Sequence, residues 1–488
     1  MMKRSFNPNP INPHHAQQWQ AHHESMYYND VVSIAVIGHT NTGKTSLMRT
    51  LLRDCDFGEV KNAPATTRHV ETVKILDKNG APLITLYDTP GLEDATGVMD
   101  FLQEHTNARH DGVERLKVFL QAVQDNTQAL LGDFSQEAKV VSTLLMVDIA
   151  IYVVDVREPV LSKYKDELAI LASSGTPVLP VFNFTKSNSP FTGAWQEMLS
   201  RRALHVINTF DTVAFDFEAE MNLWANLGTL TSAPCFLTLQ SERTEIWHEM
   251  AEEGSMIIAD FLVNVASFTC KINDDADTDM VLNAMQEATR QAFDIMQQRL
   301  LELYKFYHAD IDGSPMTIQG SNQDIFDNEL LARYGIRAVS GGVAGMIIGA
   351  GIDVATFGAS LGLGTALGGV IGGLLPNSTT IKDKAMGIKT LTISDETLTL
   401  LSAQSQYLHH TLRHRGHASL DAISLNADVA LPWQADKLPT PLKKARAYPH
   451  YSSLDSNYDD KYALRGELAD KLAITLDAHL ATLEHCHD

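Results

Sequence analysis

The stretch from Val31 to Arg53 constrains this chain more than any other. Val31 to Ile37 (VVSIAVI) is a nearly all-apolar run, the pattern of a parallel strand buried on both faces. Gly38-His39-Thr40-Asn41-Thr42-Gly43-Lys44-Thr45 follows without a break, and Lys44 to Arg53 reads as a helix. In that order of strand, glycine loop and helix, backbone N–H groups turn inward and wrap phosphate oxygens. The loop from Gly38 to Ser46 is therefore assigned as a phosphate cradle. Lys44 supplies a point charge to the terminal phosphates, and the Thr45 hydroxyl is a ligand for Mg²⁺. A chance match in an ordinary glycine loop would lack these flanks.

The following segments narrow the chemistry. Val70 to Leu76 and Pro82 to Tyr87 are strand-like, and Asp77-Lys78-Asn79-Gly80 between them favours a hairpin turn. The second strand runs into Asp88-Thr89-Pro90-Gly91. A carboxylate at that strand end can hold Mg²⁺ through water, and Gly91 can offer its N–H to a γ-phosphate. Upstream, Thr67 in Ala65-Thr66-Thr67-Arg68 lies where a mobile loop folds a hydroxyl onto the metal while that phosphate is present.

These residues carry a family resemblance. GHTNTGKTS, ATTRHVE and DTPGLED resemble the first three motifs of the Era-like group of translation-factor-related GTPases. VIGHTNTGKTSLMRTLLRD, FGEV, PATTRHVE, YDTPGLED and REPVLSKYKDELAILA resemble, more closely, a bacterial family with an Era-like GTPase domain and a C-terminal region of unknown function. The likeness spans about Val31 to His417. It implies GTP as the ligand, Mg²⁺ as the metal and catalytic roles for Lys44, Asn41, Thr67 and Gly91. Asn41 matches the asparagine that helps bind K⁺ in potassium-stimulated relatives. Such a K⁺ would supply the charge an arginine finger gives elsewhere; the alternative is that Asn41 only shapes the loop.

Three departures stand against the pattern. Leu92 occupies the place of the glutamine that orients water in many GTPases, and an aliphatic side chain cannot do that. Guanine selection normally uses Asn-Lys-x-Asp after the fifth strand, but Val178 to Asn183 continues Phe184-Thr185-Lys186-Ser187-Asn188. Asn183 keeps the first position, while Lys186 falls where the aspartate belongs, and in a shifted register Asn188 offers an amide with one donor face. Base choice between GTP and ATP thus stays open, as does another acidic residue reaching the base; the fifth motif near Asp211-Thr212-Val213 is too degenerate to decide. Finally, about 55 residues separate Gly91 from the next strand, Ile149 to Val156, too many for a loop. Much of Gly97 to Val147 reads as a helical insertion, either a lid packed on the domain or a docking place for a protein partner.

Past Thr231 the chain reads as helices. Thr278 to His308 carries Val281, Met285, Ala288, Ala292, Ile295 and Leu301 near one face. In Ala338 to Leu375 the only charge is Asp353, and glycines recur every four positions. That spacing suits either a helical hairpin in contact with a membrane or a tightly packed soluble one. The last helix bears Leu464, Leu468, Leu472, Leu476 and Leu480, a packing face for the chain itself or for a partner. A net charge of −22 excludes a general nucleic-acid binder and opposes loose adhesion to anionic lipid. Four scattered cysteines fit a reduced, cytoplasmic setting, with peripheral or integral placement at the inner membrane if the glycine-rich segment enters it. The polar stretch 1–30 has no apolar core and reads as disordered, not as a secretory signal.

The expected architecture is an α/β P-loop GTPase domain, mostly parallel sheet with flanking helices, followed by an all-α C-terminal region with a Gly-rich helical hairpin. Its expected parts are 1–30, disordered; 31–232, the GTPase domain with its insertion at about 97–147; 233–335, helical; 336–376, the hairpin; 377–425, a helical continuation; and 426–488, a linker and amphipathic helix. The expected activity is slow, Mg²⁺-dependent GTP hydrolysis in a nucleotide-dependent switch acting at a membrane. A non-hydrolysing nucleotide-binding scaffold and an ATPase are the alternatives.

Overall fold

A computed structural model describes residues 31–54, 70–107, 109–126, 133–186, 189–273, 277–307, 346–350, 389–419, 423, 430–434, 437–455, 458 and 463–485. The chain divides into two compact units, residues 1–245 with 416–419 and residues 246–415 with 420–488.

The first unit is built on a six-stranded sheet. Its strands are β1 (Val32–Ile37), β2 (Glu71–Leu76), β3 (Pro82–Asp88), β4 (Ile149–Asp155), β5 (Val178–Asn183) and β6 (Asn208–Thr209), in the spatial order β2-β3-β1-β4-β5-β6. Only β2 runs antiparallel; it returns from β3 through a turn where Asp77 Oδ1 accepts the Asn79 and Ala81 N–H groups and Gly80 takes φ +83°. All seven residues of β4 are buried, which explains why its sequence is an apolar run and not an alternation. The parallel register aligns Val36 with Asp88, Ile37 with Tyr152 and Asp155 with Asn183. The carboxyl ends of four strands therefore meet at one edge, where open α/β sheets place their ligands.

Helices cover the sheet. α1 (Lys44–Leu52) follows the glycine loop, and α2 (Ala95–His105), α3 (Gly112–Gln124) and α4 (Ser135–Leu144) occupy the long stretch before β4. Asp94 caps α2 by accepting from Gly97 N, and Asp111 with Glu114 forms a reciprocal capping box on α3. Phe101, Phe119, Phe134 and Val141 from this stretch pack together with Ile170 of α5 (Ser162–Ser174). α6 (Thr192–Ser200) and α7 (Phe217–Thr231) complete the helices between β5 and the next helix, α8 (Cys235–Ser267).

The second unit is mainly helical, as expected, but it is not all-α. β7 (Thr269–Ile272), β8 (Met346–Ala350) and β9 (Lys389–Ile393) form an antiparallel sheet in the order β7-β9-β8. Met346–Ala350 lies inside the expected helical hairpin, so for these five residues the helical reading is corrected. Small-residue spacing says how closely backbones can approach, not which backbone forms, and Ile347-Ile348 favours the extended state. The rest of 338–375 lies outside the described residues, as do 1–30 and Thr67. Among the described residues no helix is long and apolar enough to cross a membrane.

The remaining helices are α9 (Thr278–Leu303), α10 (Asp395–Arg413), α11 (Thr440–Ala445) and α12 (Ala463–His485). On α9 the buried face is Leu282, Met285, Ala292, Phe293, Met296, Leu300 and Leu301, whereas Ile295 is 58% exposed. The expected stripe therefore holds at Met285, Ala292 and Leu301 and fails at Ile295. Steps of seven residues drift about 20° per heptad around a straight 3.6-residue helix, and Phe293 and Met296 take the inward place. Leu468, Leu472 and Leu476 of α12 join the same core, with Leu464 left outside. α10 is buried on all sides although it carries Thr399, Ser402, Gln404, Gln406, His409 and Arg413. His409 hydrogen-bonds Tyr304 and presses on Gly254, where a Cβ would lie 2.2 Å from its Nε2.

Candidate functional site

The glycine loop closes over the strand ends by backbone geometry that few residues permit. Gly43 sits at φ +92° as the residue before α1, and among the described residues no side chain caps that helix N-terminus, the end of a helix that favours anions. A Cβ on Gly43 would lie 2.3 Å from Asn183 Nδ2, and one on Gly38 2.6 Å from the Val153 carbonyl. Asn41 at the exposed crest adopts a left-handed φ of 66°. Thr42 Oγ1 donates to the His39 carbonyl, and Ser46 accepts through its carbonyl from Thr50 Oγ1. Lys44 is buried and donates to the carbonyls of Gly38 and His39 at 3.2 and 2.8 Å. Burial pulls its pKa down, opposed by the negative charges of Asp88, Glu167 and Glu93.

Beside it lies a metal-type pair. Thr45 Oγ1 donates to Asp88 Oδ2 at 2.7 Å, while Asp88 Oδ1 is buried and has no hydrogen-bond partner among the described residues. Burial raises the Asp88 pKa from 3.8 to about 6, with the Thr45 hydroxyl and the Lys44 charge pulling the other way. An unpaired carboxylate oxygen beside a hydroxyl, at the mouth of a phosphate cradle, fits a hard divalent cation such as Mg²⁺. Thr45 and Asp88 are thus brought together as the sequence predicted, while Thr67 is outside the described residues. Among the described residues no cluster of three His, Cys, Asp or Glu is arranged for a metal.

Three contacts tie the loop after Asp88 to the cradle. Leu92 N donates to Gly38 O at 3.4 Å, Thr40 Oγ1 donates to Glu93 Oε1 at 3.0 Å, and His39 Nδ1 lies 2.9 Å from Leu92 O. Gly91 presses so closely on Thr40 that a Cβ would lie 2.3 Å from its Oγ1. The Leu92 side chain is fully buried among Val140, Leu144 and Val154, so it faces the core and not the phosphates.

Asn183 joins the glycine loop to the end of β5. Its Nδ2 donates to Thr42 O at 3.1 Å, and its Oδ1 accepts from Phe184 N at 2.9 Å and Thr212 N at 3.1 Å. One buried amide thus joins the cradle, the end of β5 and the loop after β6. Phe184, at φ 60°, lays its ring toward Gly43, and the Arg157 guanidinium covers that ring 3.7 Å from its centroid. Asp211, the nearby carboxylate, accepts from the N–H groups of Lys186, Val213 and Ala214, so its oxygens are committed to the loops.

Sequence reading missed Glu167, Tyr152 and Lys163. Glu167 on α5 is fully buried and lies 2.8 Å from His39 Nδ1; Tyr152 OH donates to its other oxygen at 2.8 Å, and Lys163 Nζ lies 2.7 Å from His39 Nε2. A signal was available. In Tyr164-x-x-Glu167-Leu168-x-x-Leu171 a carboxylate sits on the apolar stripe of the helix, a position that demands a buried partner.

The fold and the glycine-loop site together define a P-loop domain of the GTPase class. Residues 33–184 match the family model described as 50S ribosome-binding GTPase, and residues 196–474 match the model described as Domain of unknown function (DUF3482). The chain belongs to the DUF3482 family, with a GTPase domain preceding that C-terminal domain. Among solved structures it is similar to a variant of Era from Aquifex aeolicus bound to GDP and aluminium fluoride. The identity is 17%, over 47% of this chain and 68% of that one, with a TM-score of 0.28. It is also similar to the G domain of the FeoB iron transporter from T. maritima, at 18% identity over 37% of this chain and 87% of that one, TM-score 0.20. No curated protein matches the chain.

Proposed function

We propose that the chain binds GTP and hydrolyses it to GDP and phosphate with Mg²⁺, acting as a nucleotide-dependent switch. The observation that carries this is the Thr45–Asp88 pair, whose second carboxylate oxygen has no partner among the described residues, set beside the glycine loop. Lys44 and the first N–H groups of α1 would hold the phosphates, and Gly91 N–H and Asn41 would meet the transferred group. Bound Mg²⁺ would neutralise the phosphate charge that develops during transfer. Thr67 belongs to the same proposal through its motif. Recognition of guanine rests on the family, since position 186 is lysine and Asp211 is engaged by the backbone.

Two readings compete. A non-hydrolysing scaffold is favoured by the core-facing Leu92, and an ATPase by the altered base motif. Purified full-length protein, assayed with GTP and ATP, with and without Mg²⁺, in K⁺ and in Na⁺, separates them. Mg²⁺-dependent GTP turnover, faster in K⁺, is expected. No turnover in either salt would refute hydrolysis, ATP preference would refute the guanine assignment, and equal rates in both salts would refute the K⁺ role of Asn41. Contact with a membrane is proposed on the glycine spacing of 353–375 alone, because Met346–Ala350 is paired in a sheet. Unchanged flotation with vesicles after deleting 353–375 would remove it.

A further inference from the structure

We infer that His39 and Glu167 are positioning residues that hold the hydrolysis loop at Gly91–Leu92 in register with the phosphate cradle. The inference rests on the hydrolysis reading above and concerns the placement of the Gly91 N–H, a different task from the orienting of water that Leu92 cannot perform.

The hydrogen-bond directions follow from chemistry. A lysine ammonium has donors and no acceptor, so Lys163 must donate to His39 Nε2, 2.7 Å away. Nε2 is therefore bare and the ring proton sits on Nδ1. That single N–H is shared between Glu167 Oε1 at 2.8 Å and the Leu92 carbonyl at 2.9 Å. Glu167 is itself fixed, because it is fully buried and its second oxygen accepts from Tyr152 OH on β4. The imidazole is boxed on its flank by the Tyr164 ring, edge to face at 5.4 Å.

The consequence is mechanical. Of the three ties between the cradle and the loop after Asp88, one is a long backbone contact of 3.4 Å and one reaches Glu93, an exposed side chain. The His39 tie is the one of these three hydrogen bonds made by a side chain that is itself held by the core, through Glu167 to β4 and α5, and it acts beside the packing of the Leu92 side chain. Gly91, whose N–H faces the γ-phosphate in the proposed reaction, directly precedes the carbonyl that His39 grips. Losing this grip leaves the cradle able to bind phosphates but frees the donor that must be in place when charge develops. A displacement of about 1 Å at such a donor lowers turnover by up to about 100-fold. Neither His39 nor Glu167 is assigned proton transfer here; both act through the main chain of Gly91 and Leu92.

The test uses full-length His39→Ala, His39→Asn and Glu167→Gln, each checked by thermal unfolding. Single-turnover GTP hydrolysis is compared with affinity for GDP and for a non-hydrolysable GTP analogue, all with Mg²⁺. For His39→Ala and Glu167→Gln, turnover should fall at least about tenfold more than GDP affinity does. Asparagine places an amide donor where Nδ1 stands, so His39→Asn should recover part of the loss seen in His39→Ala. Turnover that tracks GDP affinity, or an asparagine variant no better than alanine, would overturn the inference. Should the wild type bind GTP without turnover, the hydrolysis reading fails by itself. The inference is then decided by the ratio of analogue to GDP affinity, which His39→Ala must lower by about tenfold and which, if unchanged, refutes it.

Discussion

Replacing Asp88 by asparagine should make the nucleotide-free protein more stable, and the gain should depend on pH in a definite way. The Asp88 carboxyl is 1% exposed and its pKa is raised by burial from 3.8 to about 6. Because the folded pKa lies above the unfolded one, the folded state holds the proton more tightly between those values. Stability therefore falls as pH rises from about 4 to about 6, and above that the whole penalty is present. The gap between 3.8 and about 6, at about 1.4 kcal/mol per pH unit, is a penalty of about 3 kcal/mol at pH 7.5. Asparagine keeps the shape and removes the charge, so Asp88→Asn should recover up to that amount. For a unit of this size that is a rise in Tm of about 6–12 °C at most. Near pH 4.5 the advantage should shrink to about 1 kcal/mol. The assay is thermal unfolding of both proteins from pH 4.5 to 7.5 in EDTA, repeated with GDP and Mg²⁺. In the second series the order should change, since only the wild type can place a carboxylate on the metal. An asparagine variant no more stable than wild type at pH 7.5 in EDTA would refute the reasoning, because the buried charge would then cost nothing.

Other substitutions probe the neighbouring geometry. Gly91→Ala puts a Cβ 2.3 Å from Thr40 Oγ1 and 2.7 Å from Thr40 N, and the second of these is backbone and cannot rotate away. The loop must shift, so the variant should lose some thermal stability and lose GTP turnover more than it loses nucleotide affinity, and unimpaired turnover would show that the Gly91–Thr40 contact is not retained in the working state. Asn183→Ala strips partners from Thr42 O, Phe184 N and Thr212 N. It should cost at least about 2 kcal/mol in urea unfolding and weaken binding of every nucleotide alike, because it opens cradle and base side together. In the second unit, burial lowers the His409 pKa from 6.5 to about 3, so the folded state keeps it neutral where the unfolded chain protonates. Its contribution is complete above pH 6.5 and is lost as pH falls toward 3, by about 2 kcal/mol at pH 5. Denaturant unfolding of wild type and His409→Gln at pH 7 and pH 5 should show a stability gap that changes by that amount; an unchanged gap would count against a buried neutral imidazole.

The site divides into what local sequence can carry and what it cannot. Strand, glycine loop and helix from Val32 to Leu52 are contiguous, so their order alone pointed to the phosphate cradle. Asp88 was readable because its spacing behind the cradle is short and its turn is distinctive. Glu167 lies 128 positions from His39, and nothing near either residue announces the other. The same holds for β7 and β9, about 120 residues apart, whose pairing turns Thr269–Ile272 from a helical connector into a strand. The misread strand Met346–Ala350 had a pattern, but one that two backbones share. On α10 the polar residues give no sign of burial, and a helix enclosed on all sides cannot be recognised from its own periodicity.

Gly416 has a consequence for how this protein is made. Its N–H donates to the Val213 carbonyl at 2.9 Å, and it lies against Thr212 so closely that a Cβ would be 2.0 Å from the Thr212 oxygen. The loop it braces is the one whose Thr212 N–H reaches Asn183. On a ribosome, that loop is synthesised some 200 residues before its brace emerges, which at about 5–20 residues per second is a delay of roughly 10–40 s. A nascent chain can therefore form the glycine loop early while the Thr212 loop waits for its brace. A fragment ended near residue 245 would lack that brace permanently.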